Sequence, residues 1–455
     1  MQKNDVITLQ IEEINNLGFG VSHTPDGQVV FVADGVTDDL LDARIIKVTK
    51  NYLVARIEKM RTPSLLRETG DVCTARGCGG CVYRNIQYSH ELELKRAYVQ
   101  NAFRKAGLFD VRVAPVLSVG RLTGYRNKAQ YPVANGKNGM QAGFYATGTH
   151  RVVPCMDCRL QPPVFGEILS YVCAFCDANG IRAYEEETRQ GLLRHIYLRM
   201  GEGTGEVMVC LVVNGKVLPN EKTLADGLCK RFENVKSVLI NTNMQNTNVV
   251  LGKDYRLLAG REWIEDTLCA LSFRISAGAF YQVNHDACEL LYGIARERAA
   301  LTNGSMVLDL YCGIGTIGLS MAKDADRVIG IEIVKEAVER ATENAERNGL
   351  ENAYFYCGDA SDAQKLLENA ERAHGDVSGA TVIMDPPRKG STPELIEYLA
   401  KRGFKRIVYV SCGPDTLARD CALFQSLGYE IGEVTPVDMF PRTGHVESVV
   451  CMTRR

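Results

Sequence analysis

The strongest periodic signal lies in the second half of the chain. From about residue 305, short apolar runs alternate with stretches whose apolar residues recur at helical spacing. Met306-Val307-Leu308-Asp309-Leu310, Val328-Ile329-Gly330-Ile331, Ala353-Tyr354-Phe355-Tyr356-Cys357, Ala380-Thr381-Val382-Ile383-Met384 and Arg406-Ile407-Val408-Tyr409-Val410-Ser411 read as strands. Near-continuous apolar strands separated by helices predict a parallel sheet buried on both faces. Val334, Val338, Ala341 and Ala345 share a helical face that stops at Asn348-Gly349. Residues 1 to 60 differ, with short strands at Val6–Ile11, 28–32, 43–48 and 52–57. Turns at Leu17-Gly18-Phe19-Gly20, Pro25-Asp26-Gly27 and Asp34-Gly35 separate them at the spacing of a small barrel. A helix is expected over 86–106, with Leu92, Val99, Ala102, Phe103 and Ala106 on its buried face, available to pack on the second half. From about 160 to 275, strand-like runs alternate with polar turns and carry no nameable chemistry.

Composition narrows the class. A chain of 455 residues exceeds one ordinary core and suggests about three domains. With 45% hydrophobic and 24% charged residues it reads as globular, and no apolar run reaches membrane-spanning length. Met1 to Glu12 lacks a signal-peptide pattern, so a cytoplasmic location is expected. There the 16 cysteines read as thiols, metal ligands or nucleophiles rather than disulfides. A net charge of −2 gives no global sign of nucleic acid, but the charge is unevenly spread. Between Val111 and Met156 stand Arg112, Arg121, Arg126, Lys128, Lys137 and Arg151 with no Asp or Glu. Tyr125, Tyr131, Phe144 and Tyr145 are interleaved, which suits unstacked RNA, although alternate residues could be strand core. Arg44, Lys47, Lys50, Arg56, Lys59 and Arg61 give the barrel a second basic group, or a solvated strand face.

Candidate chemistry gathers at strand ends. The Arg406 strand runs into Cys412-Gly413-Pro414, which puts a thiol where open α/β sheets hold ligands. A helix starting near Asp415 would favour the thiolate, so Cys412 is either a nucleophile or a small residue closing a core strand. The Met306 strand turns at Tyr311-Cys312-Gly313-Ile314-Gly315, and Gly318 nearly completes a dinucleotide fingerprint that could also serve NAD. Glu332, Asp359 and Asp385 follow the next three strands; acids without a basic companion suit an adenosine better than phosphates, or they are N-caps and loop acids. Asp385-Pro386-Pro387-Arg388-Lys389-Gly390 is stiff enough to hold a flat base. His445 and Glu447 share a face, and either could be a base. In Cys73-Thr74-Ala75-Arg76-Gly77-Cys78-Gly79-Gly80-Cys81, three thiols on a glycine-rich loop could share an iron–sulfur cluster or a zinc ion. A fourth ligand would come from Cys155-Met156-Asp157-Cys158, whereas Cys173 and Cys176 fall on the apolar face of a helix.

Taken together, these motifs resemble the RNA uracil-5 methyltransferases, specifically the branch with an N-terminal TRAM barrel and an iron–sulfur cluster that acts on 23S ribosomal RNA. The resemblance covers nearly the whole chain. It rests on Asp385 to Gly390, Tyr409-Val410-Ser411-Cys412 with Thr416, and Asp438-Met439-Phe440-Pro441 through His445-Val446-Glu447. It implies an α/β, Rossmann-like class I S-adenosylmethionine methyltransferase domain at 276–455, an OB-like TRAM barrel at 1–60 and a central α+β iron–sulfur and RNA-binding domain at 61–275. Phe280-Tyr281-Gln282-Val283-Asn284 matches the family's cofactor segment, making Gln282 a ligand of S-adenosylmethionine with Tyr311, Glu332 and Asp385; Asp359 and Gly313 complete the expected cofactor set. Cys73, Cys78, Cys81 and Cys158 match the ligands of a [4Fe-4S] cluster, with Cys155 as the alternative fourth. Arg126 matches a position that contacts the target uracil. The family usually carries Asn at Gly413, and Gln, His or Tyr at Arg442. The resemblance implies Cys412 as nucleophile and Glu447 as base, RNA as partner and no obligate protein partner. The rivals are a transfer RNA uracil-5 methyltransferase, an RNA cytosine-5 methyltransferase and a non-catalytic RNA-binding iron–sulfur protein.

Overall fold

The computed structural model describes residues 1–70, 73–359 and 363–454. At the N-terminus, strands Val6–Gln10, Glu13–Ile14, Phe19–His23, Val29–Ala33, Leu40–Val48 and Tyr52–Thr62 form one curled sheet. Alternate residues (Leu9, Val30, Val32, Leu41, Ala43, Ile45, Leu53, Ala55) fill its interior, as the period of two requires. The expected turn at Leu17 to Gly20 is shorter than the sequence suggests. Phe19 and Gly20 already belong to a strand, and Gly20 sits against Ile11 and Gly35, so its glycine serves close packing rather than the turn.

The central sheet has seven strands, Asp254–Gly260, Val235–Thr242, Val207–Val213, Leu193–Met200, Lys128–Gly136, Gly139–Tyr145 and Val152–Pro154 in spatial order. Strand Val207–Val213 is buried along its whole length because both faces are covered. Val207, Val209, Leu211 and Val213 meet helices Pro163–Ala178 and Glu221–Arg231, while Met208 and Cys210 face the C-terminal half. Cys173 and Cys176 lie in the helical core, as their spacing predicts.

The third sheet contains β1 (Met306–Leu310), β2 (Arg327–Glu332), β3 (Ala353–Cys357), β4 (Thr381–Met384), β5 (Arg406–Ser411), β6 (Tyr429–Ile431) and β7 (Glu447–Arg454). Their order is 3-2-1-4-5-7-6, parallel except that β7 runs antiparallel to β5 and β6, and a short strand Thr435–Val437 pairs with β7. This is the α/β sheet the strand–helix rhythm predicts, and it points the ends of β1, β2, β4 and β5 the same way. Among the described residues, no helix is long and apolar enough to cross a membrane.

The helix Tyr88–Lys105 packs Val99, Ala102 and Phe103 into the core of the C-terminal half. Its buried face also contains Glu91 and Lys95, which an apolar periodicity cannot reveal. The Lys95 ammonium, with a fully buried side chain, donates to Glu91 (2.7 Å), Asp438 (2.7 Å) and the Phe440 carbonyl (3.1 Å). Tyr88 donates to the other Asp438 oxygen at 2.7 Å, and the Arg442 backbone N–H to Glu91 at 2.7 Å. This network fixes the segment leading into Glu447. Lys95→Met would strand two buried carboxylates and is expected to cost about 3–5 kcal/mol. Urea unfolding should read this as a lower midpoint; an unchanged midpoint would contradict the role assigned to the network.

Candidate active site

Cys412 leaves β5 at the start of the helix Pro414–Ser426 and is half-buried. Ser411 Oγ accepts the Gly413 N–H at 3.1 Å, and the Thr416 hydroxyl donates to the carbonyls of Gly413 (3.0 Å) and Arg388 (3.2 Å). A Cβ on Gly413 would stand 2.7 Å from the Thr416 hydroxyl, which accounts for a glycine here. The proline loop is tied to the same helix through Asp420, which accepts from Tyr409 (2.6 Å), the Ser391 N–H (2.8 Å) and the Arg419 guanidinium. Gly390 must be glycine, since its φ of +77° is left-handed and a side chain would strike Arg419 and Asp420.

Glu447 opens β7, one residue before the Ser448–Ser411 pair, and is 4% exposed. Burial, and then the nearby Asp385, push its carboxyl up to about 8 against the opposing pull of Arg388. Asp385, just past β4, is itself pushed up to about 7 by burial. The Cys412 thiol is pushed up to about 11 by burial and by the charges of Glu447 and Asp385, with Arg388 pulling the other way. The expected thiolate is therefore not the resting form, because desolvation and two carboxylates outweigh the helix end. The four groups form one electrostatic unit at the end of the sheet. His445 and Arg388 line the Cys412 pocket, of about 260 Å³.

Segments distant in sequence are tied to the residues that lead into Glu447. Asn127 donates from its backbone to Val283 (2.8 Å) and from its side chain to the Gln282 carbonyl (3.0 Å), while Arg126 and Asn284 form a bridge. Asn284 donates to Met439 O at 3.1 Å, and Tyr125 to Pro441 O at 2.9 Å. These bonds bring Arg126 and Gln282 to the Asp438–Glu447 segment, and the Arg126 charge reaches His445. The broader basic face needs correction. Arg112 pairs with Glu433, and Arg121 with Glu202 and Asp286, while Tyr125 and Tyr131 are fully buried core rather than stacking surfaces. On the barrel, Arg44 and Arg61 are likewise paired, with Glu58 and Asp42.

A second cleft, of about 390 Å³, lies beside β1 and β2 and includes Gly313, Ile314, Glu332 and Val334. Gly313 and Gly315 are left-handed, at φ +56° and +84°. The Glu332 oxygens accept N–H groups from Gly313 (3.1 Å) and Val334 (2.9 Å), which fixes an acceptor-only carboxylate in the cleft, as a ribose diol requires. Val334, expected on a buried helical face, instead caps the Lys335–Arg347 helix and is exposed along the cleft. Tyr255 and Leu257 of the central sheet close the other side, a contribution no local pattern announces. Tyr311 holds a strained φ of +66°, its hydroxyl 3.4 Å from Ser391 Oγ, within reach of the Asp359 charge. Tyr311, Gln282, Asp359 and Asp385 are not part of this cleft's lining; Asp385 faces Cys412 and Glu447.

The cysteines Cys73, Cys78, Cys81 and Cys158 lie within electrostatic reach of one another, Cys155 hydrogen-bonds to Cys158, and the Gly80 N–H points at the Cys78 sulfur at 3.4 Å. The expected metal site finds no support in the side-chain arrangement: among the described residues, no group of three or more His, Cys, Asp or Glu side chains is arranged to hold a metal ion. The hydrogen bond from Cys155 pulls the Cys158 thiol down to about 7.

Comparisons agree with this geometry. The profile of the tRNA (uracil-5-)-methyltransferase family matches residues 187–455, and that of the TRAM domain residues 2–57. An uncharacterized RNA methyltransferase of Bacillus cereus is 38% identical over 455 residues, covering 100% of this chain and 98% of its own. Another, from Halalkalibacterium halodurans, is 39% identical over 455 residues, covering 99% and 98%. The crystal structure of Pyrococcus abyssi tRNA (uracil-54, C5)-methyltransferase in complex with S-adenosyl-L-homocysteine matches with a TM-score of 0.77 and 26% identity, over 98% of this chain and 100% of that one.

Proposed function

The chain belongs to the RNA uracil-5 methyltransferase family with a TRAM domain, a family of S-adenosylmethionine-dependent enzymes, and from that premise we propose that it methylates carbon 5 of a uridine in 23S ribosomal RNA through a covalent Cys412 adduct. One observation carries the chemistry: Asp385 and Arg388 both bear on the charge of Cys412 and of Glu447, where the ends of β4 and β5 meet the start of β7. Carbon 5 of uracil is a weak nucleophile. The resting Cys412 thiol first gives up its proton to solvent, and addition of the resulting thiolate to carbon 6 moves the carbon 5–carbon 6 π pair onto carbon 5 and the adjacent carbonyl, which Arg126 stabilises as a donor. When bound, S-adenosylmethionine supplies an electrophilic sulfonium methyl, which carbon 5 takes. Glu447 then takes the carbon 5 proton, the double bond re-forms and the Cys412–carbon 6 bond breaks, returning the thiolate.

The cofactor residues follow the same reading. Glu332 holds the ribose and Gly313 lets the backbone approach, while Gln282, Tyr311, Asp359 and Asp385, which lie outside that cleft, are assigned to the same cofactor by the family resemblance alone. The uridine must be unstacked before it can enter the Cys412 pocket, so a loop or flipped nucleotide is the substrate. Ribosomal RNA is preferred because the barrel and the cysteine loop accompany the catalytic half in that branch of the family. Transfer RNA is the second reading, favoured by the likeness to the Pyrococcus abyssi enzyme. Transfer of labelled methyl to unmodified ribosomal and transfer RNA, with the product nucleoside identified, tests both. Label as 5-methyluridine in 23S RNA supports the proposal, label in transfer RNA moves the substrate, and 5-methylcytidine or no label refutes it.

We propose further that Cys73, Cys78, Cys81 and Cys158 hold a [4Fe-4S] cluster. An all-cysteine donor set on a glycine-rich loop, with the Gly80 N–H already aimed at a sulfur, suits such a cluster. Anaerobically purified protein is expected to contain four irons and four acid-labile sulfides per chain, as the cluster formula requires. Cys78→Ser should lose most of both; stoichiometric zinc, or iron retained in this variant, would contradict the assignment.

A further inference from the structure

One feature of the Cys412 pocket comes from the other end of the chain. Its mouth is lined by Asn16 and Leu17, which form the tip of the turn between the second and third barrel strands. This turn is rigid. The Asn15 side chain accepts the N–H groups of Leu17 and Phe19, both at 3.0 Å, Gly18 closes the turn on the Asn15 carbonyl at 2.9 Å, and Gly18 is left-handed at φ +81°.

The turn is also seated against the rest of the molecule. Tyr83 donates to the Asn15 carbonyl at 3.2 Å, and Tyr98, which donates to Asp415 at 2.7 Å, also bonds Asn16. On one side a Cβ at Gly444 would come within 1.9 Å of the Asn16 carbonyl; on the other a Cβ at Gly18 would come within 2.5 Å of Val82. Both glycines therefore permit the close approach. The result holds the Leu17 side chain 65% exposed at the mouth of a pocket whose other walls include Arg388, Asp415, Thr416 and His445.

An apolar side chain carried into water on a turn whose backbone is held by this many contacts, beside a nucleophile that needs an extruded base, has an obvious physical partner. When a nucleotide leaves a stack, the neighbouring base loses a covered face, and an apolar wedge can replace the lost contact. We infer that Leu17 is a positioning residue: it packs on the face of the base next to the target uridine and holds the opened stack, so that the N-terminal barrel completes the catalytic pocket. The inference rests on the proposed methylation of an unstacked uridine.

The test is a double-mutant cycle on the stem-loop containing the mapped uridine. Wild type, Leu17→Ala and Leu17→Met are compared on the intact RNA and on two versions with an abasic site on the 5′ or the 3′ side of the target, by RNA Kd and by kcat/KM. Leu17→Ala is expected to lose about tenfold on the intact RNA, the size of one stacking contact. It should lose less than about twofold on one of the abasic RNAs, where there is no face to cover. Leu17→Met should stay close to wild type, and affinity for S-adenosylmethionine should not change. An equal loss on all three RNAs would show a role in folding alone, and no loss on any would remove the role; either overturns the inference. Wild-type protein that leaves uridine unmethylated would be a failure of the proposed function itself, visible before any variant is made.

Discussion

Cys412→Ala is expected to abolish turnover, lowering methyl transfer by at least about 10⁴-fold while leaving the affinity for S-adenosylmethionine within a factor of two. The size follows from the chemistry. Without a sulfur on carbon 6, carbon 5 has no enolate character, and Cys412 is the one thiol among the residues that line the pocket. The selectivity follows from the structure. Cys412 lies at a strand end rather than in the interior, and the Glu332 cleft does not include it. Measured with labelled methyl donor and unmodified RNA, a residual rate above about 1% of wild type would rule out addition by this thiol as the main route.

Glu447→Gln should fail at a later step. Sulfur addition and methyl transfer precede proton removal, so the variant is expected to lose about 10²–10⁴-fold in turnover yet accumulate a covalent protein–RNA species that survives denaturing electrophoresis. Loss of turnover without such a species would assign Glu447 to an earlier step. The pH dependence has a definite sign. The base acts as a carboxylate, and its carboxyl is held up at about 8, so kcat/KM should rise with pH toward that value. The high position of the Cys412 thiol, about 11, pushes in the same direction. The same shift opposes stability at neutral pH. A carboxyl raised from 4.5 to about 8 on folding binds its proton more tightly in the folded state. Its contribution is intact below about 4.5 and is lost as pH rises to about 8, so Glu447→Gln should melt higher than wild type at pH 8.

The parallel sheet was legible because its strands are buried on both faces and each ends in a recognisable turn; the barrel was legible because its interior keeps a strict period of two. Cys412, Glu447, Glu332 and Gly313 stand out in the sequence as candidates for the same reason, since strand ends are where open sheets hold ligands. What local pattern could not reveal is what depends on partners far away in the chain. Lys95 and Glu91 sit on a helix face that looks polar until Asp438 arrives beside it. Arg112 and Arg121, at the start of the basic stretch, look unopposed in sequence because their acids, Glu433, Glu202 and Asp286, lie outside it. Tyr255 and Leu257 enter the Glu332 cleft through sheet packing, and Leu17 reaches the Cys412 pocket through the docking of a whole barrel. The resting state of Cys412 was misjudged on similar grounds. A helix start is visible in sequence, whereas burial beside Glu447 and Asp385 appears only once the strands are laid together.

The central claim is that one thiol among 16 cysteines carries the reaction. RNA containing 5-fluorouridine at the target position tests it most directly, because fluorine on carbon 5 cannot be removed as a proton by Glu447 and the adduct persists. After incubation with S-adenosylmethionine and digestion, mass spectrometry should find the methylated 5-fluorouridine attached to the peptide bearing Cys412. An adduct on any other cysteine, or none from protein that methylates normal RNA, would contradict the account.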